Sequence, residues 1–100
     1  MLIRIVKMTF RPEFVDEFTQ VFDKYKEHIR GSEGCMHLEL LRDVNNPNIF
    51  FTYSHWEDAD YLENYRHSEV FKEVWPLTKA GFSEKPEAWS IKREWNSSES

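Results

Sequence analysis

The stretch CMHLELLRDVNNPNIFFTYSHW, residues 35–56, decides the fold of this chain. Two apolar runs rich in strand-forming residues flank VNNPN, whose Asn and Pro residues favour a turn, so the stretch predicts a β-hairpin. With the turn centred on Asn46, the pairing places His37 opposite His55 on one face of the sheet. A shift of one residue in this register would separate the two histidines.

The segment before the hairpin predicts a strand and a helix. Residues 2–10 predict a central strand, because they are apolar on both faces apart from Arg4 and Lys7. Apolar residues recur at three- and four-residue steps between Pro12 and Gly31, with charged residues on the opposite face. This periodicity predicts a long amphipathic helix.

Two shorter helices and a last strand are predicted after the hairpin. Asp58 or Asp60 is a suitable cap for the first helix, and Ser68 for the second. Proline has no amide hydrogen and clashes with the preceding turn of a helix, so we expect Pro76 to kink or restart the second helix. The last strand is predicted over residues 87–95.

The order of these elements predicts a single α+β domain. Strand, helix, strand, strand, helix and strand form the ferredoxin-like split β-α-β-β-α-β unit, a four-stranded antiparallel sheet with its helices on one face. At 100 residues the chain is long enough for one core, which we expect over residues 1–95. Residues 96–100 predict a polar C-terminal tail, because they have nothing to bury.

Composition and charge exclude several classes of partner. The formal charge is −5 and no basic stripe is present, which argues against nucleic acid. No apolar stretch approaches the length of a membrane span, and the N-terminal segment lacks the pattern of a signal peptide. Cys35 is the only cysteine, so no internal disulfide or multi-thiolate metal site is expected, and a reducing cytoplasm fits best.

The face of the predicted sheet that the helices leave open is too apolar to face water. Ile3, Ile5, Phe51 and Tyr53 contribute to it, and aromatic residues make up 16% of the chain. We therefore expect a homodimer in which a partner covers this face.

Four polar residues of the hairpin form a candidate cluster: His37, Glu39, Tyr53 and His55. By residue parity with Cys35, Leu41 and Phe51, the cluster is expected on the same open face. The favoured interpretation is a hydrogen-bonded patch between subunits, with catalysis as the alternative. The pattern is too weak to predict a metal site.

The longer stretch GCMHLELLRDVNNPNIFFTYSHWEDADYLENYRHSEVFKEVW, residues 34–75, resembles the antibiotic biosynthesis monooxygenase family. The matching pieces are EGC before the second strand, LRD followed by the Asn/Pro turn, an aromatic strand ending in Trp56, and SEVF at the start of a helix. The resemblance extends over residues 2–95 and implies a dimeric α+β barrel whose subunits pack sheet against sheet. It also implies a pocket between the sheet and helices of each subunit.

The activities implied by the resemblance range over cofactor-free oxidation of quinols and polyphenols, haem degradation and isomerisation of small sugars. In an alignment through SEVFKE, the axial His, the Trp and the Asn of haem-degrading members fall on Trp75, Tyr65 and Val6. An indole has no lone pair free for iron, so haem degradation is not predicted and no cofactor is expected. Quinol-oxidising members carry a Glu and a His where this chain has Ser54 and Tyr65, and only Trp56 is retained.

Seven residues are candidates for the lining of the implied pocket: Arg4, Val6, Trp56, Tyr65, His67, Phe71 and Trp75. A charged residue on a covered strand needs a partner, and for Arg4 an internal carboxylate is favoured over an anionic substrate. For the aromatic residues at helical spacing, packing is favoured over substrate contact. The catalytic residues stay unidentified, although a histidine has a suitable pKa for a general base.

The function predicted from the resemblance is a cofactor-independent monooxygenase acting on a small aromatic or quinol-type compound. Such chemistry needs a deprotonated phenol, donors that stabilise the anion and a cavity that excludes water. A non-catalytic dimeric module that binds small molecules or responds to stress is the first alternative. A non-redox isomerase, which would need an acid/base pair, is the second.

Overall fold

The computed structural model describes residues 1–99, and its strands form one antiparallel sheet. The strands are β1 (Leu2–Thr9), β2 (Cys35–Arg42), β3 (Ile49–Trp56) and β4 (Glu87–Ile91). Their order across the sheet is β2-β3-β1-β4, which confirms the predicted ferredoxin-like α+β fold. Within the single chain the sheet is open. Ser100, the end of the predicted tail, lies outside the described residues.

Three α-helices connect these strands: α1 (Val15–Arg30), α2 (Ala59–Arg66) and α3 (Glu69–Lys79), with short 3-10 helices at Pro12–Phe14 and Ser97–Glu99. The carboxylate of Asp58 caps α2 by accepting the backbone N–H groups of Asp60 and Tyr61. The hydroxyl of Ser68 caps α3 by accepting the N–H of Phe71. Both caps satisfy donors that have no partner inside the helix.

Helix α3 continues through Pro76 to Lys79, so Pro76 does not restart the helix. The helical hydrogen-bond pattern resumes directly after the proline, because the carbonyl of Pro76 accepts the N–H of Ala80 at 3.2 Å. The Thr78 hydroxyl also donates to the carbonyl of Val74 at 2.9 Å. Packing of the apolar face of α3 outweighs the loss of one helical hydrogen bond.

The last strand is shorter than predicted, because it ends at Ile91 and not at residue 95. Ile91 pairs with Ile3, and β1 begins only one residue earlier, at Leu2. Lys92 has only Leu2, the first residue of β1, opposite it, and residues 93–95 have no neighbouring strand with which to form a ladder.

The hairpin register agrees with the prediction from its turn. His37 pairs with His55, and Glu39 pairs with Tyr53. A shift in register between Cys35 and His37 breaks the alternation of faces, and Cys35 pairs with Trp56. Cys35 therefore lies in the core beside Trp56 and not on the open face, where parity had placed it.

The core consists of two separate clusters at opposite ends of the sheet. The phenylalanine cluster contains Met8, Phe10, Phe14, Val15, Phe18 and Phe50. The tryptophan cluster contains Cys35, Trp56 and Leu62. Met8 pairs with Phe50, whereas Leu2, at the other end of β1, pairs with Trp56. The middle of β1 therefore lies between the two clusters.

The sheet face opposite the helices carries several exposed apolar side chains beside the polar cluster. Ile3 pairs with Ile91 and Ile5 pairs with Trp89, which brings their side chains to this face. Leu41, Trp89 and Ile91 are each more than 40% exposed. Such an area of exposed apolar surface is typical of a protein interface. Within residues 1–99, no helix is both long and apolar enough to cross a membrane.

We predict that Phe10→Ala lowers the free energy of unfolding by about 3–5 kcal/mol, as for other buried phenylalanines. Phe10 is 1% exposed, and its ring contacts those of Phe14, Phe18, Phe50 and Phe82. Urea denaturation measures the loss. The control Val44→Ala changes a side chain that is 95% exposed and should stay within about 0.5 kcal/mol of the unsubstituted protein. Equal effects of the two substitutions would contradict the assignment of Phe10 to the centre of the core.

Candidate functional site

A cavity of about 310 Å³ lies between the sheet and the three helices. Its sheet side includes Val6 and Thr52 at the middle of β1 and β3, and its helix side includes Phe22 and Val74. Both core clusters border it, through Phe18 and Met8 at one end and through Trp56 and Leu62 at the other. The volume is within the range of small-molecule sites.

One side of the cavity carries a series of aromatic rings in contact, which we name the aromatic wall: Trp56 at the end of β3, Tyr65 on α2, and Phe71 and Trp75 on α3. Trp56 contacts Tyr65 with ring centres 5.2 Å apart, and Tyr65 contacts Phe71 edge-on at 5.4 Å. Phe71 stacks on Trp75 at 5.6 Å with an angle of 12° between the planes. Trp75 then meets Phe82 edge-on at 5.7 Å. Rings that pack against one another in this way hold a fixed, flat surface against which an aromatic ligand can stack.

The indole N–H of Trp56 is already occupied. It donates to the hydroxyl of Ser54 at 3.0 Å, and this hydroxyl lies 3.5 Å from the backbone carbonyl of Arg4. Trp56 and Ser54 are both buried. Trp56 therefore has no free hydrogen-bond donor to offer a ligand.

Arg4 brings a positive charge to the sheet side of the cavity. One of its N–H groups donates to the hydroxyl of Ser90 at 2.9 Å. Burial lowers the pKa of Arg4, and the nearby cation of Arg66 lowers it further, whereas Glu63 acts in the opposite direction. Within residues 1–99, no carboxylate forms an ion pair with Arg4. The favoured expectation of an internal carboxylate partner is therefore wrong for the described chain.

Arg66 is a second guanidinium in the cavity lining. It lies at the end of α2, directly after Tyr65, and its side chain is 50% exposed. An N–H of Arg66 lies 3.4 Å from a carboxylate oxygen of Glu63. This ion pair is long and largely solvated, so it only weakly neutralises the charge of Arg66.

Two aromatic side chains of the cavity carry unused donors. The hydroxyl of Tyr65 and the indole N–H of Trp75 make no hydrogen bond to residues 1–99. Burial, and to a smaller extent Cys35, raise the pKa of Tyr65, so its hydroxyl keeps its proton at neutral pH. Both groups can donate to an oxygen atom of a ligand.

Histidine contributes nothing to this cavity. His67 is 74% exposed and bonds to Glu63 at 2.9 Å, so it does not lie among the lining residues as the sequence had suggested. His28 lies on the exposed side of α1, and the other two histidines lie on the open sheet face. Among residues 1–99, the lining contains no histidine and no carboxylate. A histidine base inside the cavity is therefore not present in the described chain.

The polar cluster lies on the sheet face opposite the cavity. His37 bonds to Glu39 at 2.6 Å, and the rings of His37 and His55 are 4.9 Å apart. Burial and the neighbouring His37 lower the pKa of His55, whose Nε2 atom has no partner within residues 1–99. Nowhere in that range do three His, Cys, Asp or Glu side chains converge as metal ligands would. The cluster is thus a feature of the open face, separate from the cavity.

Six of the seven candidate pocket residues line this cavity, and His67 does not. The sequence reasoning missed Arg66 and the hydrogen-bond partner of Arg4, Ser90. Arg66 follows Leu62 by four residues, so helical spacing alone puts both on one side of α2. No local signal links Ser90 to Arg4, because the two residues meet only through the pairing of β1 with β4.

Comparison with known proteins gives a consistent result. The family model for antibiotic biosynthesis monooxygenase matches residues 1–75. A conserved protein from Methanosarcina mazei is 27% identical, with a TM-score of 0.88 over 94% of each chain. The crystal structure of an antibiotic biosynthesis monooxygenase is 22% identical, with a TM-score of 0.88 over 93% of this chain and 98% of that one.

SnoaB, a cofactor-independent oxygenase from Streptomyces nogalater, is 17% identical, with a TM-score of 0.85 over 96% of this chain and 95% of that one. At these identities, the likeness to the monooxygenase structure and to SnoaB shows a shared fold. No curated protein matches the chain significantly.

We predict that Trp75→Ala weakens the binding of 1-naphthol, a neutral aromatic probe, by about tenfold or more. The ring of Trp75 faces the cavity on one side, so its removal should cost less than the about 3–5 kcal/mol of a fully packed aromatic. Calorimetric titration and thermal unfolding measure the two effects. The control Leu77→Ala, on the same helix, removes a side chain that is 46% exposed and outside the lining, and should leave binding unchanged. A full core-sized loss of stability with unchanged binding would contradict the pocket interpretation.

Proposed function

Because the chain belongs to the antibiotic biosynthesis monooxygenase family, we propose that it is a cofactor-independent monooxygenase acting on a small aromatic or quinol-type compound. The single observation that carries this proposal is the cavity of about 310 Å³, whose lining is mostly apolar and includes the aromatic wall. A planar aromatic molecule matches such a surface better than a sugar or a flexible chain does.

The proposed chemistry needs no electrons beyond those of the substrate. In an oxygenation of this class, one oxygen atom of O₂ becomes the oxygen of a new C=O group, and the other leaves as water with two hydrogens of the substrate. In an anthrone both hydrogens come from the reacting carbon, and in a naphthalenediol one comes from that carbon and one from a hydroxyl. The substrate supplies all four electrons that reduce O₂. The reaction begins when an electron-rich aromatic anion transfers one electron to O₂. The protein contributes orientation, stabilisation of the anion and exclusion of water.

The residues of the cavity fit these three contributions. The aromatic wall orients the ring of the substrate, and the apolar lining keeps water from the reacting carbon. Arg4 together with the free donors of Tyr65 and Trp75 stabilises the oxygen anion. The substrate proton leaves to solvent before or during binding, because the described lining holds no histidine or carboxylate to accept it.

The missing base also supports a second candidate function, a non-catalytic module that binds small aromatic molecules. A protein of this kind would keep the aromatic wall without needing proton transfer. The same observation disfavours an isomerase, since isomerisation needs an acid/base pair at the reacting carbon.

We predict saturable O₂ uptake with at least one member of a panel of naphthalenediols and anthrones, above the rate of the compound alone. An oxygen electrode measures the uptake, and ¹⁸O₂ labelling with mass spectrometry should find one labelled oxygen in the product. Trp75→Ala should lower kcat/KM about tenfold or more, because it removes part of the wall that orients the substrate. His28→Ala, on the exposed side of α1, should have no effect. Binding of the panel without any O₂ uptake would favour the non-catalytic module instead.

A homodimer is the assembly we propose for this chain. The family is typically dimeric, and the open face of the sheet carries Ile5, Phe51, Tyr53, Trp89 and Ile91 without a covering layer in the single chain. Packing two such faces together would bury this apolar surface and the polar cluster between the subunits. The free, buried thiol of Cys35 is consistent with the reducing cytoplasm that we propose as its compartment.

We predict that sedimentation equilibrium at micromolar concentration gives twice the 12.1 kDa mass of one chain. Phe51→Glu should dissociate the dimer, because it places a charge in the centre of an apolar interface. Val44→Glu adds the same charge at the tip of the hairpin, where the side chain is 95% exposed, and should leave the mass unchanged. A monomer in the unsubstituted protein would refute the proposed assembly.

A further inference from the structure

Two positive charges face the apolar cavity without a matching negative charge in its lining. Arg4 and Arg66 both line the cavity, and the described lining contains no carboxylate. Most arginines that are covered in folded proteins pair with a carboxylate, because an unpaired buried charge is costly. This imbalance indicates a charged ligand.

Arg4 keeps most of its hydrogen-bonding capacity free. A guanidinium carries five N–H donors, and Arg4 makes one side-chain hydrogen bond within residues 1–99, to the neutral hydroxyl of Ser90. The bond to Ser90 holds the guanidinium without cancelling its charge. Arg4 is therefore oriented to bind an oxygen anion through the remaining donors.

Glu63 does not neutralise the pair of guanidiniums. Its carboxylate is shared between Arg66, at 3.4 Å, and the exposed His67, at 2.9 Å. The side chain of Glu63 is 57% exposed and is not part of the cavity lining. Glu63 also forms no ion pair with Arg4, so within residues 1–99 the charge of Arg4 has no carboxylate partner.

We propose that the cavity selects aromatic anions, with the anionic oxygen bound by Arg4 and Arg66 and the ring packed against Trp56, Tyr65 and Trp75. This inference rests on the proposed function and deepens it by assigning the charge of the substrate. The proposed ligands share an aromatic ring that carries an acidic group, which is either a carboxyl group or a phenolic hydroxyl. The two guanidiniums stabilise the deprotonated form of either group.

An anionic substrate accounts for the absence of a base in the lining. A phenol whose anion is stabilised by two guanidiniums loses its proton to water at a lower pH than it does in solution. No side chain of the cavity then has to accept this proton. The charge that binds the ligand therefore also prepares it for reaction with O₂.

The test compares two ligands of nearly equal size, 1-naphthoate and the neutral 1-naphthamide, by calorimetric titration under nitrogen. We expect the unsubstituted protein to bind 1-naphthoate about tenfold or more tightly than 1-naphthamide. Arg4→Met should remove most of this preference and lower the affinity for 1-naphthoate far more than that for 1-naphthamide, because the methionine keeps the apolar stem and removes the charge. Arg66→Met should reduce the preference in part, since Arg66 is half exposed.

The control is Lys24→Met, which removes one positive charge from an exposed site on α1 outside the cavity and should leave the preference intact. If Arg4→Met does not fold, as judged by circular dichroism, Arg66→Met in the same titrations still tests the prediction. The affinity for 1-naphthol is also measured at pH values below and above its solution pKa. Tighter binding of the phenolate form identifies acidic phenols as ligands, whereas a preference confined to 1-naphthoate identifies carboxylates.

Equal binding of 1-naphthoate and 1-naphthamide by the unsubstituted protein would overturn the inference, as would a preference that survives removal of both arginines. Binding is measured here without O₂, so this result is independent of turnover. The proposed oxygenation is tested separately, by O₂ uptake with neutral anthrones.

Discussion

The separation of the core into two clusters is the constraint on which the rest of the structure depends. Phe10 anchors the phenylalanine cluster at one end of the sheet, and Trp56 anchors the tryptophan cluster at the other. Protein interiors normally pack to the density of organic crystals, so a cavity of about 310 Å³ persists only where rigid groups hold its sides apart. The two clusters pack the helices against the sheet at its two ends. Between them, the stacked rings of Phe71 and Trp75 keep the helices from packing directly onto the middle of β1.

The central position of β1 determines the chemistry of that space. Arg4 pairs with Ser54 on one side and with Ser90 on the other, and both neighbours are small and neutral. The guanidinium is thus held between two strands, without a carboxylate, at the border of an apolar cavity. A partly buried charge without a carboxylate is costly, and the proposed aromatic anion would offset this cost when it binds.

The alternation of side chains along the strands gives this small sheet two independent surfaces. Residues of one parity on β1 and β3 line the cavity, whereas Ile5 and Tyr53 belong to the open face. The irregularity between Cys35 and His37 lets β2 serve both surfaces, because it turns Cys35 into the core and leaves His37 outside. Substitutions on one surface therefore need not alter the other, although both lie on one set of strands.

The sequence by itself determined the identity and order of the elements and the hairpin register around Asn46, because periodicity and turn chemistry depend on residues that are neighbours in the chain. The family came from the resemblance of its motifs, and the family model over residues 1–75 agrees with it. Of the seven candidate pocket residues, six line the cavity, although the resemblance supplied several of them. Only the tertiary structure decided that Cys35 faces the core, that α3 continues through Pro76, and that Arg4 and Arg66 share a cavity without a carboxylate. Each of these outcomes depends on contacts between residues far apart in sequence, and packing energy there exceeds the local preference that a sequence pattern records.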